Sequence, residues 1–74
     1  MLHTKDLITW LVAAQRIREQ SWQPHKTRYD CSLFRALTET RPQKATNVEF
    51  EIAYTLICSC WNEIQDWHHM FNKE

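Results

Sequence analysis

The chain is predicted to be all-α, and three observations carry the prediction. Apolar side chains recur at alternating steps of three and four from residue 46 to about 72, at Phe50, Ala53, Ile57, Cys60, Ile64, Trp67 and Phe71. With 3.6 residues per turn, such steps place side chains on one stripe of an amphipathic helix. The 74 residues include no glycine. Phosphate-cradling loops of the P-loop or dinucleotide type are therefore excluded, and the tight positive-φ turns of hairpins lack their cheapest residue. Pro24 and Pro42 stand between the periodic runs, where a missing amide hydrogen and a restricted preceding residue end helices. The expected architecture is one domain of three helices, over about 4–19, 27–40 and 46–72, forming a small bundle completed by dimerisation or by a partner.

In the first helix, Thr4 is placed as N-cap and Asp6 lies in the first turn, where a negative charge complements the helix dipole. Leu7, Trp10, Leu11, Ala14 and Ile17 share one face, with Ile8 and Val12 extending it sideways. Lys5, Gln15, Arg16 and Glu19 occupy much of the rest. An apolar arc this wide implies two neighbours, as in a three-helix arrangement or a dimeric bundle. The connector around Pro24 carries Trp22, expected either to cover the end of the core or to face a partner.

The second helix is expected to open at Thr27, with Asp30 completing a variant capping box, and to present Tyr29, Leu33, Phe34 and Leu37 inward. Arg41 to Ala45 forms the next loop because Pro42 disfavours helical geometry at Arg41. The third helix starts with Thr46 and Glu49, the reciprocal side-chain and backbone pairing of a capping box, with Ala45 and Phe50 as a weak staple. Tyr54, Trp61 and His68 flank its apolar seam.

A helix rises about 1.5 Å per residue, so the three helices would span roughly 24, 20 and 40 Å. The first two would leave about 15 Å of the third uncovered. Ile64, Trp67 and Phe71 lie in or beside that surplus, and burying such an aromatic is worth roughly 2 to 3 kcal/mol. A homodimer or another protein is therefore expected to cover this end, with an antiparallel pairing of two third helices bringing Glu49 and Glu51 towards Lys73. A chain of this size buries only about 60% of its unfolded surface, which favours assembly.

Formal net charge is zero, yet residues 1–44 carry eight Lys/Arg against four Asp/Glu, and residues 45–74 one against five. The halves are thus about +4 and −4, which favours attraction between them and removes a global electrostatic case for nucleic acid. A local basic and aromatic surface remains, with Arg16, Arg18, Lys26, Arg28, Arg35 and Arg41 as candidate polyanion contacts, and Trp22, His25, Tyr29 and Lys44 beside them. Its bland reading is a solvated face paired with the acidic third helix. Helix-turn-helix recognition is disfavoured, because Glu49 and Glu51 would stand at the end meant for DNA.

Cys31, Cys58 and Cys60 make an odd count, and Cys58 and Cys60 diverge by about 200° on a helix. Free thiols in a reducing cytoplasm are expected. The apolar run from Leu7 to Ala14 is too short for a bilayer and is preceded by Asp6, so neither a secretory leader nor a membrane span is expected. His68 and His69 diverge by about 100°, and Cys60 lies about 12 Å from His68 along a helix, so no shared metal follows. Cys31 and His25 lack a third member to orient them. No catalytic residue, metal or cofactor is expected. The sequence thus favours a small non-enzymatic protein-binding regulator, adaptor or inhibitor acting through apolar helix faces, with a small nucleic-acid-binding regulator as the alternative.

Overall fold

The computed structural model describes residues 2–21 and 32–72. It is all-helical over those residues, with four helices: α1 (Thr4–Ser21), α2 (Leu33–Thr40), α3 (Asn47–Ser59) and α4 (Trp61–Phe71). The expected 46–72 helix is therefore two helices, and the bundle has four members instead of three.

Helix α1 is the element on which the others pack. It lies against α2 and α4 and makes a smaller contact with α3. Its Ile8, Trp10, Leu11, Val12 and Ala14 are buried together with Leu33, Ala36 and Leu37 of α2, Ala53 and Ile57 of α3, and Ile64 of α4. Leu7 and Ile17 pack at the margin. The wide apolar arc thus packs against α2, α3 and α4 of its own chain.

Two side-chain bonds tie distant segments together. The Trp10 indole donates to the Leu37 carbonyl at 3.0 Å across buried space. Leu37 lies in the last turn of α2, where the Arg41 amide turns instead to the Thr38 carbonyl, so the indole satisfies a carbonyl that the helix end leaves without its usual donor. At the other end of the core, the Glu49 carboxylate accepts from the Leu2 amide at 2.7 Å and the Thr46 amide at 2.9 Å. These backbone donors hold its pKa below the ordinary 4.5. The Glu49 amide in turn donates to Thr46 Oγ1, completing the capping box expected from the sequence.

Helix α2 begins later than expected. Ser32 is extended and its hydroxyl accepts from the Arg35 amide, so it is the N-cap and the helix starts at Leu33. The capping pair placed at Thr27 and Asp30 lies outside the described residues. Arg41 leaves the helix with φ −60° and ψ 123°, the extended geometry imposed by the following Pro42.

The larger correction is at Cys60, whose φ of −130° and ψ of 30° interrupt the helix without proline or glycine. The ladder bonds on either side persist, with the Cys60 amide reaching the Leu56 carbonyl at 2.8 Å and the Ile64 amide reaching the Cys60 carbonyl at 2.9 Å. Just before the break, Thr55 and Ser59 hydroxyls bond back to the Glu51 and Thr55 carbonyls at 3.0 and 2.7 Å. Such back-bonding bends helices, and Ile57, Cys58, Ser59 and Cys60 are all weak helix formers. The bend lets α4 fold onto α1 and brings Ile64 to 0% exposure.

The 15 Å overhang inferred from a straight helix consequently does not exist. Ala53, Ile57 and Ile64 are all buried in the chain's own core, so the seam is not one continuous exposed stripe.

Candidate functional site

Among the described residues, the exposed aromatic side chains fall on two surfaces, and the aliphatic pair Val48 and Ile52 is also exposed, on α3. The first is a groove of about 790 Å³ between α2 and α3, lined by Phe34, Thr38, Arg41, Phe50, Glu51 and Tyr54. Phe34 is one turn before Thr38 and two before Arg41 on α2, so all three fall along the groove wall. Phe34 is 61% exposed. Its ring meets Phe50 edge-on at 5.2 Å between centroids and 64° between planes. Phe50 in turn lies 5.9 Å from buried Trp10 at a tilt of 54°. Three rings therefore run from solvent to core and fix the floor of the groove, since edge and tilted contacts suit the aromatic quadrupole.

Arg41 closes one end. Its Nη2 donates to the Ala45 carbonyl at 2.8 Å and to Asn47 Oδ1 at 3.0 Å, and Nε donates to the same carbonyl at 3.3 Å. The guanidinium carbon also sits 5.4 Å from the Phe50 centroid, within cation–π range. Arg41 therefore braces the 41–47 loop over the aromatic floor.

The second surface is the outer side of α4. Trp67, Met70 and Phe71 are 39%, 67% and 41% exposed, and Glu63 and Asp66 are exposed beside them. Ile64, expected to belong to this surface, is inside the core. On the opposite flank of α4 a more polar hollow of about 410 Å³ lies against α1, with Arg16, Glu19, Trp61, Gln65, His68 and His69 in its wall. His68 and Asn72 side chains approach to 2.8 Å there.

The basic residues named from the sequence do not share one surface. Arg16 faces the α1/α4 hollow, whereas Arg41 faces the α2/α3 groove. Arg35 pairs with Glu39 at 3.1 Å along α2. Arg18 is exposed in the last turn of α1. Trp22, His25, Lys26, Arg28, Tyr29 and Cys31 lie outside the described residues.

Among the described residues, no polar or charged side chain is buried, and no group of three or more His, Cys, Asp or Glu is placed to hold a metal ion. No helix among them is long and apolar enough to cross a membrane. Sequence reasoning missed the α2/α3 groove because it turned Phe34 inward with Leu33 and Leu37. A signal was present, since Leu33, Ala36 and Leu37 alone complete a helical stripe and leave Phe34 at its edge. Comparison with family models, with curated proteins and with solved structures finds no match.

Proposed function

We propose that the protein is a small non-enzymatic protein-binding module, acting as an adaptor, inhibitor or regulator through exposed apolar helix faces. The observation that carries the reading is the preformed groove between α2 and α3, where Phe34 stands 61% exposed on a floor braced by Phe50 and Trp10. Two neighbouring helices with an apolar channel between them suit an amphipathic helix or apolar segment of another protein. Aromatic anchors of this kind carry much of the binding energy at protein interfaces.

The polyanion alternative is weakened because Arg35 and Arg41 already have partners on the chain and Arg16 faces elsewhere. Free thiols at Cys58 and Cys60 are in keeping with a reducing, cytoplasmic setting.

The test is affinity purification from nuclease-treated extract of the cells that make the protein, comparing wild type with a Phe34→Ala/Tyr54→Ala variant whose helicity is checked by circular dichroism. A protein retained by wild type and lost from the variant supports the reading. Retention that depends on nucleic acid, or that ignores both substitutions, refutes it.

A further inference from the structure

We infer that the outer side of α4 is a docking surface for a basic amphipathic helix of another protein. The inference rests on the protein-binding reading above and names the partner chemistry for a second, separate surface.

Four-residue offsets on a helix stack side chains in columns. One column on α4 is Glu63, Trp67 and Phe71, and the adjacent one is Asp66 and Met70, with all five exposed. The surface is therefore acidic towards the start of α4 and apolar towards its end. Glu63 also suits the positive end of the helix dipole, but Asp66 lies a turn further on and has no such role. Neither carboxylate forms an ion pair with a described residue, and residues 45–72 contain four carboxylates and no lysine or arginine. Lys73 and Glu74 follow with one charge of each sign.

Charge selects the occupant. A partner helix with an apolar stripe would cover Trp67, Met70 and Phe71, while lysines or arginines flanking that stripe would meet Glu63 and Asp66. Opposite potentials across an interface raise association rates and suppress wrong partners. A second copy of this chain presenting the same face would bring two further carboxylates and no matching cation from residues 45–72. An acidic helix would meet like charge at Glu63 and Asp66.

The test uses the full chain and synthetic peptide helices of about 14 residues, long enough to span α4. One peptide carries leucines at helical spacing with lysines elsewhere, and its counterpart has glutamates in place of the lysines. Fluorescence anisotropy should show the basic peptide binding at least about tenfold more tightly than the acidic one. Glu63→Lys/Asp66→Lys should abolish or reverse that preference, and Trp67→Ala/Phe71→Ala should abolish binding, with circular dichroism confirming that the helices remain. The inference is overturned if the basic peptide does not bind, or if its preference survives the charge reversal. It is also overturned if sedimentation shows a homodimer that Trp67→Ala dissociates. Loss of peptide binding in Phe34→Ala, with the α4 variants unaffected, would place docking in the α2/α3 groove and remove this inference while leaving the protein-binding reading in place.

Discussion

Replacing Ile64 by alanine probes the decision that shapes the whole bundle, namely whether the C-terminal helix folds onto its own chain. Ile64 has 0% exposure and belongs to the same buried cluster as Leu11, Ala14 and Ile57. Truncating a fully buried isoleucine removes three carbons from close packing and leaves a void, at a cost of about 2 to 5 kcal/mol. A chain of this length has a total stability of about 4 to 11 kcal/mol, so the substitution takes a large share. At about 3 kcal/mol the melting temperature should fall by roughly 12 to 24 °C. Urea unfolding followed by circular dichroism should show the loss, and the midpoint difference should not change with protein concentration. A cost below about 1 kcal/mol would refute the reasoning, because a buried Ile64 cannot be so inexpensive. A loss that appears only at concentrations where the protein associates would show that Ile64 serves an interface and that the helix continues past Cys60.

Trp10→Phe should destabilise by about 1 to 3 kcal/mol beyond the packing loss, since the Leu37 carbonyl would keep only a weak approach from the Thr40 hydroxyl at 3.5 Å; chemical denaturation measures this. Thr46→Ala should cost about 1 kcal/mol by removing the hydroxyl half of the α3 cap, again read from the urea midpoint. Glu49 has a pKa lowered from the ordinary 4.5 by its backbone donors, so its stabilising contribution is fully present above that value and is lost as pH falls through the lower folded-state value. The stability difference between wild type and Glu49→Gln should therefore shrink on acidification through that range, and a pH-independent difference would count against the Leu2 clasp. Cys58 is exposed and free, whereas Cys60 is half-buried, so a thiol reagent applied to the native protein should modify Cys58 faster, as peptide mass mapping would show.

Local rules made much of the fold legible. The Thr46 and Glu49 pair announced the start of α3, because a capping box is made entirely by residues three apart. Pro42 announced the exit from α2 for an equally local reason. The apolar face of α1 identified the residues that became the centre of the core, although its neighbours could not be assigned from periodicity alone. The start of α2 was read too early because Thr27 and Ser32 both offer capping hydroxyls, and the extended backbone at Ser32 selects between them.

The candidate surfaces were legible only in part. Trp67 and Phe71 were marked by the seam, and both are exposed. Ile64 was marked by the same seam and is buried, while Phe34 was expected inward and faces solvent. The seam could not distinguish these fates, since a stripe records which residues share a side of a helix and not what that side meets.

By itself, the sequence determined the helical class, the capping box of α3, the loop at Pro42 and the division of charge between the two halves, all consequences of short-range geometry or composition. Tertiary structure decided the break at Cys60, the burial of Ile64 and the groove between α2 and α3. Each depends on where an apolar face gains most by leaving water. Folding α4 back onto α1 buries side chains that a straight helix would leave exposed, and no periodicity along the chain records that gain.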